Sequence, residues 1–352
     1  LESGDKSTRA GHLKILTSKA VDVAVLETHH SGILTHGFAF RWCDIAVCLN
    51  VTEDHLGQIN IDTVEQMAIV KQALLERARH AAVLNADDRF CLAMLEAVTA
   101  EKICLVSMLS SHEELSAHVG KRLVCYCVLE LLDGEEWLLI HDCGLRLPVM
   151  ASSSIPATFD GTARFNVSNA MHAIAASYLF GTDVEMIKSA MCVFKSGYET
   201  TPGRMNVFDD LPFRIIMDFA HNPDGMRNVS DFIDRQIVPG RKLIAFAGGT
   251  DRSAELLRGI GRSLAGHFDF YFCKEYVTRE GRNPRKVSHF LQQGLIEAGV
   301  AEQQTVLVTN GKEVIFEIFD ACKAGDLLVM LMGHVEIHHL PAYIREYASI
   351  QD

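Results

Sequence analysis

The sequence predicts an α/β protein with two domains, each built around a mainly parallel sheet. Short apolar runs rich in β-branched residues alternate with segments of helical periodicity along the chain. Polar loops with acidic, amide or imidazole groups follow several of these runs, as is typical beyond the carboxyl ends of buried strands. The length of 352 residues allows two domains of ordinary size. We expect them at residues 1–198 and 199–352.

Composition narrows the class of protein. Hydrophobic residues make up 48% of the chain, yet no run has the length of a membrane span and no signal peptide opens it. The net charge of −12 and the pI near 5.7 argue against a broad basic face for nucleic acid. The ten cysteines show no CxxC spacing and mostly lie in apolar runs, as free thiols do in a reducing cytosol. This argues against a disulfide framework and against a zinc site.

The first residues of the chain contain no predicted strand or helix. Residues 1–12 have the character of a loop and begin with Leu1, so we expect a fragment of a longer protein. Lys6-Ser7 invites comparison with a phosphate loop, but Asp5 stands where that loop needs glycine, and we reject it.

A predicted buried strand over Ala20–Glu27 comes next and ends in a carboxylate that could reach Mg²⁺ directly or through water. His29-His30 follows it; these could be metal ligands, but adjacent loop histidines are more often solvated.

The densest group of polar side chains follows the next apolar run, Ile45–Val47. Its loop holds five polar residues, namely Asn50, Thr52, Glu53, Asp54 and His55. A loop this rich in oxygen and imidazole groups beyond a strand is a candidate site. The alternative is an ordinary helix start, with Asp54 or Thr52 as the N-cap.

The rest of the first domain alternates helices and strands and then changes to hairpins. We predict helices over 62–79 and 90–99, and strands over 81–84 and 102–107, with Asn85–Asp88 as a polar loop between them. This pattern indicates a doubly wound sheet. Two predicted strands over 122–132 and 136–141 join at Asp133-Gly134, and another covers 145–150, so we expect an antiparallel insert.

The helix predicted over Thr162–Phe180 carries two amides three residues apart, Asn166 and Asn169, which share one face. They could be core amides whose hydrogen bonds are made within the protein, or they could form hydrogen bonds with the edge of an adenine base. Residues 199–204 form a linker with Pro202-Gly203. A second α/β unit follows, with strands predicted over 213–219, 242–247, 268–274, 305–308 and 326–332.

The order of these motifs resembles the Mur ligase family of ATP-dependent amide ligases. It runs LE at a strand end, NVTEDH, a lysine one helix later, NADD, N-x-x-N on a helix, PGR, DFAHNPD, GGTDR and a late GH. Within that family the chain is most similar to the C-terminal, Mur-ligase-like portion of cyanophycin synthetases, through VAVLETHHSGIL, LNVTEDHLG, GRMNVFDD, DFAHNP and KEYVTREGR. The resemblance covers nearly the whole chain. It implies a central domain and a Rossmann-like C-terminal domain.

The resemblance implies roles for individual residues. Glu27, His55 and Lys71 would hold Mg²⁺, with Asp54 and Asn50 shaping the loop; Lys71, Asp54 and His55 would be catalytic. Lys71 follows His55 by 16 residues, where the family has a carbamylated lysine. The alternative is an ordinary lysine on a helix surface. Contacts to ATP would come from two sets, the adenine or ribose set Asn166, Asn169 and Arg204, and the phosphate set Asp218 and His221.

The implied reaction joins an amine to a carboxylate through an acyl phosphate, with ATP and Mg²⁺ as cofactors. The partners would be an amino acid and a peptide or polymer acceptor, and the resemblance suggests arginine and the aspartate side chain of a cyanophycin-like polymer. Another Mur-like amino-acid or glutamate ligase is an alternative, and so is an inactive pseudo-ligase that serves assembly. The family's glycine-rich phosphate loop should precede Glu27 and is absent, so we expect upstream residues to supply it. The location would be cytoplasmic, and a homo-oligomer is left open.

Overall fold

The computed structural model describes residues 7–53, 56–57, 59–120, 122–249, 252–275, 286–309 and 311–351. These residues pack as two compact units. The first unit holds the described residues up to Gly161 together with Phe165–Val193. The second unit holds Thr162–Arg164 and the described residues from Phe194 onward.

The first unit is built on a six-stranded mixed sheet whose strands lie in sequence order. The strands are β1 Cys43–Cys48, β2 Ala78–Asn85, β3 Lys102–Ser107, β4 Val124–Leu132, β5 Glu135–Asp142 and β6 Leu145–Ala151. Strands β1 to β4 are parallel, whereas β4, β5 and β6 are antiparallel. The predicted hairpin insert is therefore confirmed, and it continues the main sheet instead of standing apart.

The hairpin turn follows from its two residues. Asp133 and Gly134 have φ angles of 52° and 86°, and Leu132 pairs with Glu135 across the turn. Positive φ at both central positions is the two-residue turn that matches strand twist, and Asp-Gly is among the pairs that favour it. Cys143 and Gly144 repeat the pattern between β5 and β6, with φ angles of 49° and 82°.

The described part of the first unit contains seven helices, and helices pack on both faces of its sheet. They are α1 Arg9–Leu16, α2 His30–His36, α3 Val64–Leu75, α4 Arg89–Ala93, α5 His112–Ser116, α6 Arg164–Leu179 and α7 Val184–Val193. Helices α3, α4 and α5 contribute buried side chains to one core, and α6 and α7 to the core on the other face. The strand order differs from the doubly wound order that we predicted, because periodicity identifies strands without fixing their neighbours.

The predicted strand over Ala20–Glu27 is wrong. This segment forms no strand, and Val25 is 97% exposed. The segment does not pair with β1, which is the edge strand of the described sheet, so its backbone forms no sheet hydrogen bonds. The loop expected over residues 1–12 is also partly wrong, since α1 begins at Arg9 and the Thr8 hydroxyl accepts a hydrogen bond from the Gly11 N–H.

The second unit is a Rossmann-like sheet with the order β11-β10-β9-β12-β8-β7. Its strands are β7 Asn206–Phe208, β8 Arg214–Asp218, β9 Lys242–Phe246, β10 Phe270–Lys274, β11 Thr305–Val308 and β12 Leu327–Leu331. Only β7 among these runs antiparallel to its neighbour. The helices are α8 Pro223–Asp234, α9 Ala254–Leu264, α10 Val287–Glu297, α11 Lys312–Asp320, α12 His334–Ile337 and α13 Leu340–Gln351. The last strand returns between β8 and β9, so the strand order reverses there.

The chain positions described above contain no helix that combines the length and apolar character needed to cross a bilayer.

Candidate functional site

The loop after β1 is held by hydrogen bonds from two neighbouring segments. Lys71 Nζ on α3 donates to the Asn50 carbonyl at 2.8 Å, and Asn85 Nδ2 at the end of β2 donates to the Leu49 carbonyl at 2.8 Å. The Val51 N–H donates to Asp88 Oδ2, also at 2.8 Å. The structure therefore brings together Asn50, Lys71 and the predicted 85–88 loop, which are far apart in the sequence.

The reading of this loop as a helix start does not hold for Thr52. Helix α3 begins at Val64, where Thr63 is the N-cap and forms a capping box with Gln66. Lys71 lies one residue after the buried Val70 and four after the buried Met67, which brings it to the edge of the packed face of α3. Asp54 and His55, the other predicted members of the loop, lie outside the described residues.

The two aspartates after β2 organise the backbone around the site. Asp88 Oδ1 accepts hydrogen bonds from the N–H groups of Phe90 and Cys91, both at 2.9 Å, and so caps α4. Asp87 accepts hydrogen bonds from the Ser107 hydroxyl at 2.5 Å and the Met108 N–H at 2.7 Å. These contacts tie the ends of β2 and β3 together, which gives both carboxylates a positioning role.

Glu27 lies in an extended segment and not at a strand end. Its carbonyl is within 2.9 Å of His12 Nε2 on α1, which donates to it, and its residue surface is exposed. No hydrogen bond or ion pair of the Glu27 carboxylate occurs among the described residues. The structure gives no contact between Glu27 and the Asn50–Lys71 pair.

The two asparagines of α6 lie together as the sequence predicts. Asn166 Nδ2 donates to the Ala157 carbonyl at 2.7 Å, and Asn169 Nδ2 donates to Asn166 Oδ1 at 3.3 Å. His172, which sequence reasoning missed, lies one turn further along the helix and is 2% exposed. Its Nδ1 donates to the Ser168 carbonyl at 2.7 Å, and burial lowers the pKa of His172 despite the charge of Asp87. The sequence did offer one sign of His172: it is a histidine among the small and apolar residues of α6.

In the second unit, three predicted residues surround Phe219. The Arg204 guanidinium lies 5.4 Å from the centre of the Phe219 ring, and the His221 ring lies 4.9 Å from it. Asp218 accepts hydrogen bonds from the Met205 N–H at 3.0 Å and the Ala220 N–H at 2.8 Å. Burial raises the pKa of Asp218, while those hydrogen bonds and the charge of Arg204 oppose the rise.

The turn that presents Arg204 depends on Gly203. Its φ is +74°, and a Cβ added there would lie 2.4 Å from Ile337 Cδ1. The buried Asn206 side chain closes the turn by accepting from the Gly203 N–H at 2.7 Å and donating to the Thr201 carbonyl at 3.0 Å. The PGR sequence is thus needed for backbone conformation as well as for the arginine.

Comparison with known proteins identifies relatives over most of the chain. Residues 8–177 match the Mur ligase middle domain, and residues 203–334 match the Mur ligase, glutamate ligase domain. Cyanophycin synthetase from Synechocystis sp. is 36% identical over 299 residues, which are 84% of this chain and 33% of that protein. The chain therefore spans about a third of the length of this relative.

Solved structures show the same fold. E. coli FolC in complex with DHPP and ADP has a TM-score of 0.59 at 16% identity, covering 86% of this chain and 62% of that chain. The bifunctional folylpolyglutamate synthase/dihydrofolate synthase of Yersinia pestis, complexed with AMPPNP and a Mn ion, has a TM-score of 0.57 at 15% identity, with the same two coverages. With matches to both its middle and its C-terminal domain models, the chain belongs to the Mur ligase family.

Proposed function

We propose that this chain carries the ligase chemistry of an ATP-dependent amide ligase of the Mur type. The observation that supports it most is the 2.8 Å bond from Lys71 Nζ to the Asn50 carbonyl, which brings the lysine of the family pattern to the loop after β1. The cyanophycin synthetase relative supports arginine as the amine and the aspartate side chain of a cyanophycin-like polymer as the carboxylate.

The reaction has two steps. The γ-phosphoryl group of ATP passes to an oxygen of the substrate carboxylate, and ADP leaves. The amine nitrogen then attacks the acyl carbon, and the tetrahedral intermediate expels phosphate as the amine loses a proton. An unactivated carboxylate would have to lose its oxygen as an oxide ion, whereas the acyl phosphate loses phosphate, which is a far better leaving group. The reaction therefore consumes ATP.

The family pattern supports a divalent cation at the loop after β1, beside which Lys71 lies. A carbamylated Lys71 keeps one hydrogen on Nζ, so its bond to the Asn50 carbonyl survives the modification and a carboxylate is added beside it. Glu27, His55 and Lys71 would hold Mg²⁺, which neutralises charge on the polyphosphate when bound. The AMPPNP and Mn ion of the Yersinia pestis enzyme and the ADP of E. coli FolC support a nucleotide with a divalent metal.

Asn166, Asn169 and Arg204 would contact the adenine or ribose, and Asp218 and His221 the nucleotide or its phosphates. Arg204 carries a fixed charge and a planar fork, which suits phosphate oxygens. Its position over the Phe219 ring and the tight turn at Gly203 limit its freedom before a ligand arrives. Asp218 also holds that turn through the Met205 N–H, so it would position Arg204 as well.

The test measures how fast the intact cellular protein releases phosphate from ATP. We expect release only when Mg²⁺, an aspartate-bearing acceptor peptide and arginine are all present. An acceptor with asparagine in place of aspartate is the matched control, because it lacks the carboxylate. Glutamate in place of arginine tests the other family reaction. Equal release without any acceptor would contradict the ligase assignment.

Lys71→Ala tests the metal role. We expect the rate of phosphate release to fall by about a hundredfold or more, the scale on which loss of one group that stabilises charge acts. Lys188→Ala, which removes a lysine paired with Glu185 on α7, is the control and should keep the wild-type rate. Removing dissolved CO₂ should slow the wild type, and bicarbonate should restore it. A wild-type rate in Lys71→Ala would refute the role.

A further inference from the structure

A group of metal-ligating side chains lies on the antiparallel part of the first unit, and none of them belongs to the site described above. His112 is the first residue of α5, Glu130 lies on β4 and His141 lies on β5. One ligand atom from each residue lies within 4.8 Å of the other two. We infer that these three side chains bind a divalent transition-metal ion, for which Zn²⁺ is the best match.

The donor set and its geometry support this inference. Two imidazoles and one carboxylate are the ligands of zinc sites that keep a fourth position for water. The rings of His112 and His141 stack with centres 3.8 Å apart and planes at 15°, which places both imidazoles beside Glu130. His141 Nε2 and Glu130 Oε1 are 2.5 Å apart. With Zn–N and Zn–O bonds of about 2.1 Å, tetrahedral donors lie about 3.4 Å apart, so His141 and Glu130 would separate by about 1 Å. One imidazole would also turn out of the stack, because each ring plane must contain the ion.

Two of the three ligands have outer partners that orient them. Arg146 donates to Glu130 Oε2 through Nε at 3.0 Å and Nη2 at 2.6 Å. An ion would therefore bind Oε1 and replace the direct contact of Oε1 with His141 Nε2. Glu113 Oε2 lies 3.1 Å from His112 Nδ1, which leaves Nε2 of that ring for an ion. Outer partners of this kind fix the ring and carboxylate orientations of metal ligands.

A purely protein network accounts for less of this arrangement. Glu130 is already satisfied by His141 and Arg146, so it needs no second imidazole, yet His112 stacks directly on His141. The site contains no cysteine, which is why the cysteine spacing gave no sign of it. His141 is 8% exposed and held within its strand, whereas His112 is half-buried and open to an entering ion. The bound ion would link α5 to the β4–β5 hairpin.

The test compares Zn²⁺ affinity in three forms of the full 352-residue chain, each first stripped of metal. Competition against a chromophoric chelator measures the affinity. We expect His112→Ala to bind at least about tenfold more weakly, since even an outer partner of a ligand acts on that scale. His118→Ala, an exposed histidine near the end of the same segment, should match the wild type. Zinc that binds equally to all three forms belongs to other groups of the chain.

A Co²⁺ spectrum and a variant of Glu130 test the same metal site in two further ways. Co²⁺ should give the visible bands of a tetrahedral site in the wild type and in His118→Ala, and these bands should be lost in His112→Ala. Glu130→Gln keeps the shape of the side chain and should weaken binding as well. Equal affinity for wild type and His112→Ala, or a Co²⁺ spectrum that is the same in both, would overturn the inference.

Discussion

At the scale of single residues, a buried carboxylate organises part of the second unit by accepting backbone hydrogen bonds. Asp326, which precedes β12, is 3% exposed. It accepts from the Arg241 N–H at 2.8 Å, from the Lys323 N–H at 2.9 Å and from Arg241 Nη2 at 2.5 Å. Burial alone raises the pKa of Asp326, but these hydrogen bonds outweigh it and the pKa falls below its ordinary value of 3.8. The charged form is therefore the one that the fold stabilises.

Asp326→Asn should lower the free energy of unfolding of the second unit by about 2 kcal/mol at pH 7, because hydrogen bonds to a charged group are lost inside the fold. The folded-state pKa lies below the unfolded one. The stabilisation is therefore complete above about pH 3.8 and fades as the pH falls further. Urea unfolding of the wild type and the variant between pH 3 and 7 measures the difference in their free energies of unfolding.

Asp209→Asn is the control for that comparison, because Asp209 pairs with Arg214 at the surface, where the side chains are 58% and 55% exposed. It should change stability by no more than about 0.5 kcal/mol. If the difference in unfolding free energy between the wild type and Asp326→Asn stays constant down to pH 3, the assigned direction of the Asp326 pKa shift is wrong.

At the scale of elements, α9 and α10 of the second unit pack closely against each other through glycine. A Cβ added at Gly294 would lie 2.1 Å from the Arg258 carbonyl oxygen, and one at Gly261 would lie 2.2 Å from the Leu291 carbonyl oxygen. Backbone atoms cannot rotate away as side chains can. The two glycines are therefore required by the approach of the helices and not by any unusual φ angle.

Gly294→Ala should destabilise the second unit by about 3 kcal/mol, since the helices must separate to admit the methyl group. Gly259→Ala on α9 is the matched control: its Cβ would meet only Arg262 Nη2 at 3.9 Å. That substitution should stabilise the protein by about 0.5–1 kcal/mol through helix propensity. Thermal unfolding followed by circular dichroism distinguishes the two. Equal effects of the two substitutions would refute the close-packing argument.

At the scale of the whole molecule, each unit has cores of its own. Two clusters of buried side chains lie against the first sheet, and another packs against one face of the second. Both tryptophans, Trp42 and Trp137, lie in the first unit. Tryptophan fluorescence therefore reports on that unit, whereas circular dichroism reports on both.

We expect the two units to unfold in separate transitions, because domains with their own cores commonly do. Leu84→Ala, which removes a fully buried side chain of β2, should shift the fluorescence transition, at a cost of about 3 kcal/mol. Gly294→Ala should shift only the transition that fluorescence does not follow. A single transition displaced equally by both substitutions would contradict this expectation.

The sequence by itself determined the alternation of helices and strands, the hairpin at Asp133-Gly134 and the family, because turn conformation, periodicity and motif order are properties of neighbouring residues. The failure at Ala20–Glu27 has the opposite cause: a strand forms only where its backbone pairs with another strand, and this segment does not pair with β1 at the edge of the described sheet. Tertiary structure likewise decided that Lys71 meets Asn50 and that His112, Glu130 and His141 converge. Such meetings depend on strand order and packing, which local sequence patterns do not encode.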